Sequence, residues 1–194
     1  MTGYRRRLPH FHPEGAYLFL TWRLWGTLPK RSKMAGETAC PTVNATPGHA
    51  FVATDRALDR ATTGPTWLTD PRIAEIVSNT IRAGEKERQF YQLGAWAIMS
   101  NHVHLLLLPL VPLSKITRWL KGSTAHRANQ LLGRVGSTFW QDESFDHWVR
   151  NDHQFERITR YIEDNPVTAG LVKCAAEWPW SSATRQATPP APPT

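Results

Sequence analysis

Only two cysteines, Cys40 and Cys174, occur among the 194 residues, far apart and in dissimilar surroundings. They support neither a disulfide framework nor a cysteine-rich zinc site, so a reducing cytoplasm is the expected compartment. No apolar run approaches the ~20 residues of a membrane span. The opening MTGYRRRLPHFHPEG also lacks the apolar region of a secretory signal, and no membrane partner is expected. Acid is missing from one long stretch, since residues 88–141 hold six basic residues and no Asp or Glu. Tyrosine is scarce as well. The chain has four, and Tyr161 is the only one after Tyr91.

What is present is positive charge, segregated along the chain. The net charge is +7. Residues 1–33 carry seven basic residues against the single acid Glu14, whereas 34–87 and 142–194 are net acidic, at −2 and −3. Two separated basic surfaces are what a polyanion such as nucleic acid selects. A plain solvated surface is the competing reading.

Residues 4–12 form a basic, aromatic arm, and Ala16 to Trp25 reads as a strand ended by Gly26 to Pro29. From 30 to 65 the composition turns to Thr, Ala, Gly and Pro without hydrophobic periodicity, which predicts a mobile insertion. Asp70-Pro71 supplies an N-cap and a first-turn proline for a helix that runs to about Gly84. Tyr91 to Met99 and His102 to Pro109 predict a hairpin turning at Ser100-Asn101. Ser114 caps an expected helix with Ile116, Trp119, Leu120, Ala128 and Leu131 inward and Gly133 as its stop. A short strand at 144–150 precedes a helix capped by Asn151 or Asp152, ending before Asn165-Pro166 because proline disfavours helical geometry in the residue before it. The Pro-rich 185–194 predicts a disordered tail behind a single domain spanning 1–184. This order implies an α+β fold: a ferredoxin-like antiparallel sheet with helices packed on one face.

In a strand, alternate side chains share a face, so His102 and His104 point together while Val103 points away. Two imidazoles on one face make half of a metal site, although His10-Phe11-His12 has the same spacing without a clear strand to fix its rings. In the last helix, Tyr161 and Asn165 lie four residues apart, along one edge of the stripe formed by Phe155, Ile158 and Ile162. Read singly, Tyr161 is an amphipathic boundary residue and Asn165 a helix stop.

Taken in order, LPHFHPEGAYLFLTWRLWGTLP (8–29), NHVHLLL (101–107), FWQ (139–141), FDHWVRND (145–152), RYIEDNPVTAGLV (160–172) and WPWSS (178–182) resemble a REP-associated tyrosine transposase. This group belongs to the HUH single-strand endonucleases, in which U is a hydrophobic residue, here Val103. The likeness covers most of 4–182, is weak across 30–65 and is absent from the tail. It implies metal ligation by His102, His104 and the Asn165 amide on a His-x-His strand and a C-terminal helix, with Tyr161 as nucleophile. Two imidazoles and an amide oxygen with open positions suit Mg²⁺ or Mn²⁺ better than zinc.

The implied reaction is a covalent transesterification of single-stranded or hairpin repeat DNA through a 5′-phosphotyrosyl link. Asp146, Asp164 and His147 are the candidates for a base that would activate Tyr161. Arg5, Arg6 and Arg7, together with Lys115, Arg118, Lys121 and Arg127, are the candidate DNA contacts. Trp22, Trp25 and Trp119 are available for base stacking or, as is commoner, for the core. The group is expected to act as a monomer, whereas relatives in the wider superfamily form dimers with shared sites. Two alternatives compete: a catalytically idle DNA- or RNA-binding regulator of the same fold, and a structural histidine pair in an unrelated basic domain.

Overall fold

The computed structural model describes residues 13, 15–27, 58 and 64–186. Arg5 to Arg7, the His10 and His12 pair, nearly all of 30–63 and residues 187–194 lie outside them. The regular elements are β1 (Leu18–Arg23), α1 (Pro71–Lys86), β2 (Tyr91–Ile98), β3 (His102–Pro109), α2 (Leu113–Leu131), β4 (Phe145–Trp148) and α3 (Asp152–Thr168). The four strands form one antiparallel sheet in the order β2-β3-β1-β4. This is the α+β class with the ferredoxin-like antiparallel sheet that the pattern of elements implies. Among the described residues, no helix is long and apolar enough to cross a membrane.

The helices divide between the two faces of the sheet, where the sequence reading had put them on one. Leu18, Leu20 and Trp22 of β1, Trp96 and Ile98 of β2, and Val103, Leu105 and Leu107 of β3 form one face, with Ile73, Val77 and Ile81 of α1 and Ile116, Leu120 and Ala128 of α2 upon it. Phe19, Ala95, Ala97 and Leu106 form the other, under Ile158 and Ile162 of α3. The physical reason is that β1 and β3 place large apolar side chains, Phe19 and Leu106, on the second face as well, so each face must be covered. Gly94 and the small side chains of Ala95 and Ala97 let α3 come close. A methyl group at Gly94 would press on Leu106 at 3.0 Å and on Phe155 at 3.2 Å.

Several helix boundaries differ from the sequence reading. α1 starts as expected, with the Asp70 carboxylate accepting from Arg72 N, but it continues through Gly84 to Lys86. Gly84 is there for packing, because a Cβ would collide with the Tyr91 hydroxyl, which donates to Ile81 O at 2.7 Å. α2 begins one residue before Ser114, whose side chain caps nothing. Pro112 is the N-cap, and its carbonyl accepts from Lys115 and Ile116. Leu131 is 41% exposed, while Thr124 is buried in the same helix. Its hydroxyl donates to Leu120 O and accepts from Trp140 Nε1, which satisfies a polar group in the core.

α3 continues through Pro166 to Thr168. A proline in the last turn leaves only the Ile162 carbonyl without its helical donor, and both Asn165 and Pro166 are buried. Asn165 is therefore a helical residue, not a stop.

Two of the sequence signatures act as straps. In WPWSS, Ile98 N donates to Trp180 O, Ser182 N to Trp96 O and Trp178 Nε1 to Ile98 O, covering the free edge of β2. Ser182 Oγ also donates to Glu163 at 2.8 Å, tying that edge to α3. In FWQ, Trp25 N donates to Phe139 O and Gln141 N to Arg23 O, extending the sheet beyond the end of β1. Within the presumed insertion, Leu58 is only 2% exposed, and its carbonyl accepts from Asn101 Nδ2. The 30–65 segment thus contributes at least one core residue.

Candidate active site

The register of β1 and β3 builds the site. Thr21 lies opposite His104 and Arg23 opposite His102. The turn residue Asn101 precedes them. Both imidazoles are fully buried, on the α3 face of the sheet. Burying two such rings is costly unless their nitrogens are satisfied, and each Nδ1 has a partner. His102 Nδ1 lies 2.7 Å from Asn101 Oδ1, and His104 Nδ1 lies 2.8 Å from Thr21 Oγ1. The Asn101 amide is itself oriented, since its Nδ2 donates to Leu58 O at 2.9 Å. Its oxygen can only accept, so the His102 proton sits on Nδ1 and the Nε2 lone pair faces inward. The two Nε2 atoms then meet at 3.0 Å.

That arrangement fits a metal site in which a second polar group orients each ligand, and the 3.0 Å separation equally suits a hydrogen bond between the two rings. Among the described residues, no group of three or more His, Cys, Asp and Glu side chains gathers around a common point. Among the described residues, a third protein ligand would therefore be a neutral group such as the Asn165 amide.

α3 brings the remaining residues to this face from the same chain. Asn151 caps the helix by accepting from Gln154 N, and the Gln154 amide oxygen accepts from Arg150 N. Gln154 Nε2 donates to His147 Nε2 at 2.9 Å, which fixes the start of α3 against β4. Phe19 sits between the sheet and the helix, stacked on His104 at 5.7 Å and edge-on to Tyr161 at 6.1 Å. The Tyr161 ring is 5.9 Å from the His104 ring. One turn further along, Asn165 is 3% exposed on the buried side of α3. His102, His104 and Tyr161 therefore share one face between sheet and helix, with Asn165 buried one turn beyond Tyr161 on α3.

The other candidates separate. Asp146 pairs with Leu20, so its side chain belongs to the opposite face of the sheet. Asp164 is exposed and borders a cleft of about 610 Å³ that Arg160 and Cys174 also line. His147, opposite Phe19, is on the correct face. Burial, followed by the nearby Arg150 and Arg157, lowers its pKa and favours the neutral ring.

Lys121 has a structural task, with its ammonium donating to the carbonyls of Gln141, Asp142 and Glu143. Lys115, Arg118 and Arg127 are exposed on α2. Trp22 is in the core at 3% exposure, Trp25 is 39% exposed, and Trp119 is half-buried against Phe90 at 5.5 Å.

Sequence reasoning missed Asn101 and Thr21, which orient the histidines, and Arg23 beside them. A signal did exist: Thr21 and Arg23 are polar residues at alternate positions of an otherwise apolar strand.

Residues 65–165 match the family described as Transposase IS200 like. A REP-associated tyrosine transposase from Escherichia coli K12 is 26% identical over 111 residues, which is 56% of this chain and 63% of that protein. The matched part thus spans less than two thirds of that relative. A solved structure of a REP-associated tyrosine transposase bound to a REP hairpin superposes with a TM-score of 0.57 at 20% identity, covering 96% of this chain and 86% of that one. This shows that the two share a fold. The family match takes in just over half of the chain, from the approach to α1 through the histidine hairpin to Asn165, and the protein belongs to the IS200-like transposase family.

Proposed function

We propose that this protein is a metal-dependent DNA endonuclease and strand transferase that cleaves single-stranded or hairpin DNA through a 5′-phosphotyrosyl intermediate. The observation that carries this reading is the meeting of His102 Nε2 and His104 Nε2 at 3.0 Å on the face where Tyr161 stands, all within one chain. Membership of a transposase family supports the substrate class, and so does the chain's net charge of +7.

In this reading, His102, His104 and the Asn165 amide oxygen hold Mg²⁺ or Mn²⁺. When bound, the ion neutralises charge that grows on the scissile phosphate. Asn101 and Thr21 keep the imidazoles correctly turned. Phe19 fixes the Tyr161 ring. The Tyr161 oxygen bonds to phosphorus as the bond to the 3′ oxygen breaks; the phenol loses a proton to solvent or a base, and the 3′ oxygen leaves as a hydroxyl. The new phosphodiester preserves the energy of the old one, so a later hydroxyl can displace Tyr161 and join strands without a nucleotide cofactor. Because α3 and the histidine hairpin belong to the same chain, a monomer suffices.

Exposed Lys115, Arg118 and Arg127 are proposed to neutralise DNA phosphates, and Arg5 to Arg7 to read the foot of a hairpin. Lys121 is left out of this set because its donors are engaged.

The test is to incubate labelled single-stranded or hairpin repeat DNA with the protein and Mn²⁺ or Mg²⁺, then run a denaturing gel. The wild type is expected to give a covalent protein–DNA band that is lost in Tyr161→Phe and with chelator. Tight binding without any adduct under either metal would instead identify an idle DNA-binding regulator.

A further inference from the structure

The α3 face of the sheet is nearly uncharged. From the strands it receives Phe19, Thr21 and Arg23 of β1, Ala95 and Ala97 of β2, His102, His104 and Leu106 of β3, and Phe145 and His147 of β4. Arg23 is the one permanent cation that the strands contribute to this face among the described residues. It is the direct cross-strand partner of His102, so the two Cβ atoms lie about 5 Å apart.

Its position is built. Gln141 N donates to the Arg23 carbonyl, and Lys121 holds the following carbonyls. Arg23 Nη1 is 3.5 Å from Thr27 Oγ1, and the Glu143 carboxylate stabilises its charge against the burial that lowers its pKa. An arginine half out of water beside two buried imidazoles has a reason to be there if an anion comes to the same place.

Resting on the function proposed above, we propose that Arg23 is a further catalytic residue, whose guanidinium donates to a non-bridging oxygen of the scissile phosphate. An arginine presents a planar fork of donors matched to phosphate. As Tyr161 attacks, the phosphorus acquires a fifth oxygen and negative charge accumulates on the equatorial ones. A fixed donor in a site shielded from water stabilises that charge more than it stabilises the ground state. Arg23 makes and breaks no covalent bond and transfers no proton.

The experiment compares wild type, Arg23→Lys and Arg23→Gln in single-turnover adduct formation. The substrates carry either a normal phosphate or an uncharged methylphosphonate at the cleavage position. With phosphate, Arg23→Gln is expected to slow the reaction by roughly 100- to 1000-fold, as for loss of one oxyanion donor, and Arg23→Lys by less. DNA affinity and Mn²⁺ binding, the latter read by electron paramagnetic resonance, are expected to stay within about threefold, since neither rests on this donor alone. With the methylphosphonate, the gap between wild type and Arg23→Gln should largely close. Equal defects on both substrates, no defect on phosphate, or loss of Mn²⁺ binding together with activity would each overturn the assignment. Absence of an adduct in the wild type would instead overturn the proposed function itself.

Discussion

The two faces of the sheet share the same strands but differ in what they bury. Toward α1 and α2, the strands present leucine, isoleucine, valine and tryptophan, and most of the large side chains there are buried. Toward α3, the apolar contribution is smaller, and the same strands bury His102, His104 and Thr21. Apolar burial is worth roughly 1.5–3 kcal/mol for each large side chain, whereas a buried polar group gains only about 0.5–1.5 kcal/mol net from each hydrogen bond and costs more than that if left unsatisfied. The first face therefore supplies stability that lets the second bury polar side chains.

The strongest way to break this comparison uses neighbours. His104 and Leu105 are adjacent on β3 and equally buried, yet they point to opposite faces. His104→Ala should abolish adduct formation, a loss of ~10³-fold or more on the scale of a missing catalytic group, while leaving a cooperative unfolding transition. Leu105→Ala should lower stability by ~2–5 kcal/mol in urea denaturation, with the adduct rate per folded molecule unchanged. If both variants behaved alike, the division of labour would be wrong.

Thr21→Val tests the support behind the site. It keeps the shape of the side chain and removes the hydroxyl at His104 Nδ1, so metal affinity or adduct rate should fall about 10- to 100-fold. The smallest effect concerns pH. The pKa of His147 is lowered in the folded protein, so the unfolded chain binds a proton first as pH falls. Stability should decline from the ordinary histidine value near 6.5 down to the lowered folded value, then level off. His147→Gln should flatten that part of a stability–pH curve measured by urea unfolding.

Much of this was legible in the sequence, and what was not has definite causes. The hairpin, its turn at Ser100-Asn101 and the shared face of His102 and His104 follow from strand periodicity, and the structure keeps them. The caps at Asp70 and Asn151 were readable because their side chains act locally. The end of α3 was misread at Pro166, because burial of Asn165 and Pro166 against the rest of the fold offsets a local preference that looks decisive in isolation. The two-sided covering of the sheet was hidden because the second face mixes Phe19 and Leu106 with Thr21, Arg23 and two histidines, a pattern that also suits a face left to solvent. Pairing partners were hidden more deeply. Thr21 lies 83 positions from His104, and no local pattern announces their contact. Lys121 looked like one of a basic row, and only the fold reveals that the carbonyls at 141–143 use its donors.

The central claim is that the α3 face closes an active site around Tyr161 within one chain. The most direct test is to trap the adduct on a short oligonucleotide, digest it with nuclease and trypsin, and locate the residual nucleotide by mass spectrometry. Cleavage after Arg160 and Lys173 gives a peptide of residues 161–173 that begins with Tyr161 and contains no other tyrosine. The account predicts the nucleotide on that peptide, bound through Tyr161. A nucleotide on a peptide bearing Tyr4, Tyr17 or Tyr91 would contradict it.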